Sequence, residues 1–137
     1  MTTKNSGFSL IELMVVVAIL GILTTVGVVA YGSYTKGAKK TSAKNVMQQV
    51  GLGQIEYLSS FGVVYYTNAP LGDECTPSGT SSAGIETNLF AGGDIITDET
   101  GYDMCIEASP TGGYLIKASN NAGTDLTLDS SGIWGTF

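Results

Sequence analysis

A single carboxylate interrupts the most apolar part of this chain of 137 residues. Glu12 is the only charged side chain between Phe8 and Thr35. A carboxylate at membrane depth costs about 2.5–3.5 kcal/mol on insertion scales, so this one requires a partner. If the chain were cut after Gly7, Phe8 would carry a new ammonium group and Glu12 would be the fifth residue. The chemistry that this spacing indicates is an ion pair between the carboxylate and an amino-terminal ammonium group.

Two cysteines, Cys75 and Cys105, are the other residues with obvious chemistry. They do not form a CxxC motif, which disfavours a redox-active dithiol. In an exported chain an even number of cysteines indicates a disulfide bond. Closing a loop of about 30 residues would stabilise the fold by about 3–4 kcal/mol in the chain-entropy model. The alternative is two free buried thiols in a cytosolic protein, which the long apolar run disfavours because it argues for export.

The composition excludes several classes of function. The chain contains no arginine and no histidine, so His-based acid–base catalysis, Ser–His and Cys–His pairs and imidazole metal sites are absent. From Ser42 onward only Lys44 and Lys117 are basic, against eleven Asp or Glu residues. Such a surface repels phosphate backbones, so specific DNA binding is not expected. We predict no enzymatic activity and no cofactor.

Two weaker groups of side chains also have a structural interpretation. An acidic cluster consists of Asp94, Asp98, Glu99 and Asp103. Calcium takes such oxygen ligands, but the spacing matches no metal-binding loop, so a solvated face is favoured and no metal site is predicted. Three aromatic residues, Trp134 and the pair Tyr65-Tyr66, are interpreted as core or intersubunit packing in preference to adhesive contacts.

The element that positions Glu12 is an apolar run with the length of a membrane span. Residues 13–35 contain no charge, and the part from Leu13 to Ala30 would form a helix about 27 Å long. Three interpretations compete: a signal peptide cut after Ala30, an ordinary membrane anchor, and a segment that is first membrane-bound and later buried in protein. The run is longer than a usual signal peptide core, and Glu12 interrupts its start.

The same residues carry a family resemblance. Residues 7–23, GFSLIELMVVVAILGIL, together with the apolar continuation to Tyr34, resemble the amino-terminal signature of type IV pilins and related pseudopilins. The resemblance implies that a prepilin peptidase cuts between Gly7 and Phe8 and methylates the new amino group of Phe8. It also implies that Glu12 neutralises the Phe8 ammonium group of a neighbouring subunit in a filament.

A group of lysines follows the apolar run: Lys36, Lys39, Lys40 and Lys44. Taken alone, the positive-inside rule would place the carboxyl-terminal side in the cytoplasm. The resemblance and the cysteine pair favour the opposite orientation, because the leader must face the peptidase and a disulfide needs an oxidising compartment. We therefore expect a single-pass inner-membrane precursor and, after assembly, an extracellular pilus. The lysines are interpreted either as subunit contacts against the acidic remainder of the chain or as a solvated helix face.

Periodicity predicts the rest of the fold. An amphipathic stripe continues the helix through Ala43, Val46, Met47, Val50, Tyr57, Leu58 and Phe61. Residues 62–88, rich in Gly, Pro, Ser and Thr, predict an irregular connection. Alternating patterns at 102–108, 114–118 and 126–128, separated by turns, predict an antiparallel meander. This part is similar to the carboxyl-terminal sheet of small pilins of the PilE and ComP type.

The fold expected is therefore α+β, a long amino-terminal hydrophobic helix packed on a small antiparallel β-sheet. We predict five segments: a leader peptide (1–7), a transmembrane and filament-core helix (8–35), its amphipathic continuation (36–61), an irregular region (62–98) and the sheet (99–137).

The resemblance implies a structural subunit of a type IV pilus, used in adhesion, twitching motility or DNA uptake. Its partners would be other pilin subunits, prepilin peptidase, the pilus assembly machinery and the inner membrane. The alternative from the same family is a type II secretion pseudopilin of a periplasmic pseudopilus. A membrane-anchored binding module that does not polymerise is a third hypothesis, but it would have no need of Glu12.

Overall fold

The computed structural model describes residues 7–96, 100–120 and 123–137. Its elements are α1 (Leu10–Phe61), α2 (Gly79–Leu89), β1 (Asp103–Ala108), β2 (Tyr114–Ser119), β3 (Asp125–Asp129) and β4 (Trp134–Gly135). The chain divides into two compact units, residues 1–38 and 39–137. A long amino-terminal hydrophobic helix and a small antiparallel sheet confirm the predicted α+β class.

In the second unit, one face of α1 is buried. The buried positions are Ala43, Val46, Met47, Val50, Gly53 and Gln54. The period of three and four residues predicts the first four of them, because residues at these spacings share a face of a helix. The stripe also predicts Phe61 on the buried face, and this is wrong: Phe61 is 66% exposed. Its ring instead packs on Tyr57, one turn earlier, with the two ring centroids 4.5 Å apart.

The glycines in this part of α1 allow close packing. A Cβ atom on Gly53 would lie 3.0 Å from the ring of Phe90, and one on Gly51 would lie 3.3 Å from the Tyr114 hydroxyl. Helix α1 ends at Phe61, after which Gly62 adopts a φ of 82° and donates its N–H to the Leu58 carbonyl at 2.7 Å. A left-handed glycine with this bond is a common end for a helix.

The four strands form an antiparallel meander in the order β1-β2-β3-β4. Ile106 of β1 pairs with Ile116 of β2, which pairs with Leu128 of β3. These three residues belong to one hydrophobic core together with Met47 and Val50 of α1. The carboxyl-terminal half of α1 therefore packs on one face of the sheet.

Helix α2 corrects the prediction that residues 62–98 form an irregular region. Ser78 is the N-cap, and its side chain and that of Ser81 exchange hydrogen bonds with each other's backbone N–H in a capping box. Ile85 is fully buried. The Ser82 hydroxyl accepts a hydrogen bond from the Met104 N–H at 2.9 Å, which docks the helix on β1. The helix escapes detection from sequence because few of its residues are apolar, and its stability comes from capping and from contact with the sheet.

Candidate functional site

The amino-terminal unit exposes nearly all of its apolar side chains. Its part of α1 contains the most apolar window of the chain, with a mean hydropathy of 2.7, and none of that window is buried. Phe8 is 79% exposed. By length and composition this helix can cross a membrane. Large apolar side chains in this number require either lipid or other protein around them, because burial stabilises each by about 1.5–3 kcal/mol.

Glu12 lies in the first turn of α1 and caps the helix. Its Oε2 accepts a hydrogen bond from the backbone N–H of Ser9 at 3.0 Å. The Ser9 carbonyl accepts the N–H of Leu13 at 3.2 Å, so Ser9 occupies the N-cap position and Glu12 the third position of the helix. This is one half of a capping box, and a carboxylate there also interacts favourably with the positive end of the helix dipole. Sequence reasoning missed this role, although the spacing Ser-x-x-Glu before an apolar run signals it.

The predicted cleavage site lies just outside the helix. Gly7, Phe8 and Ser9 precede α1 and are not helical, and all three are exposed. The peptide bond between Gly7 and Phe8 is therefore free of the helical hydrogen bonds that begin at Leu13. Of the predicted leader, residues 1–6 lie outside the described part of the chain.

The second unit contains a disulfide bond between Cys75 and Cys105, with Cα atoms 6.1 Å apart. Cys105 is fully buried in β1, and Cys75 belongs to the segment that follows Pro70. Side chains alternate along a strand, so Cys105 lies on the face opposite Met104 and Ile106, and the bond holds this segment on the side of the sheet away from α1. Glu107 helps to fix it, because its Oε2 accepts the N–H of Cys75 at 3.1 Å.

A buried ion pair accompanies the disulfide. Lys117 Nζ lies 2.8 Å from Glu107 Oε2 and 3.8 Å from Glu74 Oε1, and the Lys117 side chain is only 7% exposed. Lys117 is the register partner of Cys105, so the pair stands directly beside the disulfide. The Lys117 ammonium group also lies 5.3 Å from the centroid of the Phe137 ring. Sequence reasoning missed this pair, although a single lysine in the middle of an apolar strand pattern is a usable signal, because lysine is rarely buried without a partner.

The weaker candidates are described only in part. Asp94 and Asp103 are exposed, and Asp98 and Glu99 lie outside the described residues. Within the described residues, no group of three or more His, Cys, Asp or Glu side chains is placed to hold a metal ion. Tyr65, Tyr66 and Trp134 are partly buried and pack against the core.

Comparisons with known proteins agree with these features. The family model described as "Prokaryotic N-terminal methylation motif" matches residues 2–28. The chain is 38% identical over 82 residues to the type IV major pilin protein PilE1 of Neisseria gonorrhoeae, which covers 60% of this chain and 35% of that protein. It is 29% identical over 135 residues to a fimbrial protein of Neisseria meningitidis serogroup A, which covers 98% of this chain and 68% of that protein.

A third relative is the fimbrial protein EcpC of Eikenella corrodens, 33% identical over 93 residues, or 68% of this chain and 61% of that protein. The match thus spans about a third of the length of the first of these relatives and less than two thirds of the third. No solved structure matches the chain. The chain thus carries the amino-terminal methylation motif on an exposed apolar helix, and it is similar to type IV pilins over most of its length.

Proposed function

We propose that this chain is a structural subunit of a type IV pilus. Prepilin peptidase cuts between Gly7 and Phe8 and methylates the new amino group of Phe8. Before assembly, the subunit is anchored in the inner membrane by its apolar helix, with its disulfide-bonded unit outside the cytoplasm. The assembly machinery transfers it into a surface filament held together by the apolar helices.

The observation that carries this proposal is the combination of the amino-terminal methylation motif with a helix whose amino-terminal apolar part is fully exposed. The motif covers residues 2–28, and the most apolar window of α1 is 0% buried. A lipid bilayer covers that surface in the precursor. In the filament, the same surface is covered by the helices of other subunits, and burial of apolar area drives association.

Glu12 has a specific task in this scheme. In the apolar interior of a filament, an unpaired carboxylate or ammonium group would be strongly disfavoured. The Glu12 carboxylate therefore pairs with the Phe8 ammonium group of a neighbouring subunit. Removing one partner of a buried ion pair costs about 3–5 kcal/mol, because the other charge is left uncompensated. The pair thus fixes the register of subunits along the filament.

The capping bond to Ser9 gives Glu12 a partner before assembly. The hydrogen bond from the Ser9 N–H, at 3.0 Å, and the helix dipole both lower the free energy of the charged carboxylate near the membrane surface. This supports a precursor in which Glu12 is held at the start of the helix until a neighbouring amino group becomes available.

Electron microscopy of filaments sheared from cells tests the proposal. With an antibody to this chain, we expect labelled filaments at the cell surface of a strain that expresses the wild-type chain and few from a strain that expresses Glu12→Ala. Filaments confined to the periplasm would instead favour the secretion pseudopilin, which shares the same leader and glutamate. A membrane-bound chain that forms no filament would contradict both assignments.

A further inference from the structure

We propose that a surface around Trp134 binds the segment Leu71–Glu74 of a second copy of this chain. The tryptophan surface consists of Lys40, Lys44, Leu52, Ile55 and Trp134, all in the second unit. The acidic segment consists of Leu71, Gly72, Asp73 and Glu74. This inference rests on the proposed function, because the second copy is an adjacent subunit of the filament.

One side of the tryptophan surface is basic. A pocket of about 280 Å³ is lined by Lys40 and Lys44 of α1 together with Leu126 and Trp134 of the sheet. Lys44 Nζ lies 4.8 Å from the centroid of a Trp134 ring, so the ammonium group and the indole that line this pocket are in contact. Among the described residues, the ion pairs within 4.0 Å involve Lys117 and neither of these two lysines. The pocket therefore offers positive charge that no carboxylate in this part of the chain neutralises.

The other side is apolar. A groove of about 410 Å³ runs along Leu52 and Ile55 of α1 and Leu128 of the sheet and is also lined by Trp134. Asp129 lines the groove as well, and its Oδ1 accepts the backbone N–H groups of Ser131 and Ile133. Leu52 is 67% exposed and Ile55 is 61% exposed. Trp134 thus lines both a basic pocket and an apolar groove, and a complementary partner would offer carboxylates next to an exposed apolar side chain.

The acidic segment has this chemistry. Leu71 is 67% exposed, and Asp73 and Glu74 follow it within three residues and are exposed. The Glu74 side chain is 92% exposed and lies 3.8 Å from Lys117, whose closer partner is Glu107 at 2.8 Å. Two carboxylates are therefore available to another molecule. The formal net charge of −6 also means that a second copy brings an excess of carboxylates to any basic surface.

The positions of the two surfaces suit a filament. Trp134 belongs to β4, at one edge of the sheet, whereas the acidic segment follows Ala69, which bridges to Glu107 of β1 at the other edge. A contact between two different surfaces of identical subunits is heterologous, and it produces rings or open helical filaments instead of closed dimers. Successive subunits can then repeat the same contact without limit.

Reciprocal charge reversal in the full chain, expressed in cells, tests the inference. One variant carries Lys40→Glu and Lys44→Glu, a second carries Asp73→Lys and Glu74→Lys, and a third carries all four changes. Like charges facing each other across an interface are strongly unfavourable, so we expect each double variant to lower filament yield about tenfold or more. The fourfold variant should recover to within about twofold of the wild type, because the pairing is restored with opposite signs. A matched control, Glu56→Lys with Asp94→Lys, reverses two exposed acidic residues outside both surfaces and should leave the yield unchanged.

Each variant is also assayed for membrane-bound precursor and for the oxidised disulfide, which separates assembly from folding. The inference is overturned if either double variant assembles normally, if the fourfold variant is no better than the worse double variant, or if the control loses as much. A further outcome also overturns it: the Lys40→Glu, Lys44→Glu variant has less precursor in the membrane, but the fraction of that precursor that assembles is unchanged. The surface would then contact anionic lipid headgroups and not a second subunit. A wild-type strain without filaments containing this chain would instead contradict the proposed function itself.

Discussion

The carboxylate of Glu12 accepts a hydrogen bond from the backbone N–H of Ser9, at 3.0 Å. Glu12 is the one charged residue in an apolar run of sequence, and this bond gives it a structural role in the helix. Its side chain caps the amino terminus of α1. We propose that the cap holds the carboxylate at the start of α1 in the precursor. In the filament, the Phe8 ammonium group of a neighbouring subunit pairs with it.

The two roles of Glu12 are separable by substitution. Glutamine keeps an oxygen that can accept the Ser9 N–H but has no charge, whereas alanine removes both. We expect Glu12→Gln and Glu12→Ala to be inserted and processed, and both to assemble poorly because the neighbouring ammonium group lacks a counter-charge. Filament yield measured against processed subunit checks this. Normal assembly of Glu12→Gln would show that the cap, and not the charge, is what the filament requires.

The ion pair between Lys117 and Glu107 is expected to be strongly coupled. The two side chains meet at 2.8 Å and are largely buried. Lys117→Met alone or Glu107→Gln alone should lower the free energy of unfolding by about 3–5 kcal/mol, because one buried charge loses its partner. Combining Lys117→Met with Glu107→Gln should cost clearly less than the sum of the two single changes. Urea unfolding of the full chain in detergent measures this cycle, and strict additivity would contradict the coupling.

The disulfide is expected to carry much of the stability of the second unit. Replacing both cysteines, Cys75→Ser with Cys105→Ser, should lower the free energy of unfolding by about 3–4 kcal/mol. Treating the wild type with a reductant should produce a similar loss, and the same reductant should leave the double variant unaffected. Equal stability of the oxidised wild type and the double variant would show that other contacts, such as Glu107 with the Cys75 N–H, hold the segment without the bond.

Alkaline pH should destabilise the second unit through two tyrosines. Burial raises the pKa of Tyr66 and of Tyr114 above the ordinary value of 10.0. The folded chain therefore binds these protons more tightly than the unfolded chain does. Their contribution to stability is fully present below about pH 10 and is lost as the pH rises from there through the folded-state pKa values. The melting temperature should fall as the pH rises from about 8 to 11, and in the Tyr114→Phe variant it should fall less steeply. The same dependence of melting temperature on pH in that variant and in the wild type would contradict the assignment.

Local patterns in the sequence predict much of this fold. The apolar run, the stripe from Ala43 to Val50 and the alternating strands are set by side-chain period, which the sequence displays directly. Helix α2 is not predicted, because Ile85 is its only fully buried large apolar side chain and its docking depends on the contact of Ser82 with β1. The exposure of Phe61 also escapes prediction, since the stripe continues after the sheet has ceased to cover the helix.

Some of the candidate sites can also be predicted from local sequence, whereas others depend on the folded chain. The positions of Gly7, Phe8 and Glu12 follow from a short contiguous motif, so the sequence is sufficient to propose them. The pairing of Lys117 with Glu107 depends on the register of β1 with β2 and on the segment held by the disulfide. The tryptophan surface joins residues more than ninety positions apart, from Lys40 to Trp134, and requires the folded chain to be recognised.

The mass of the chain in filaments sheared from the cell surface tests the central claim most directly. The account predicts a polypeptide that begins at Phe8, carries one added methyl group on its amino terminus and contains an oxidised Cys75–Cys105 bond. A chain that retains Met1, or one that begins after Ala30, would contradict it.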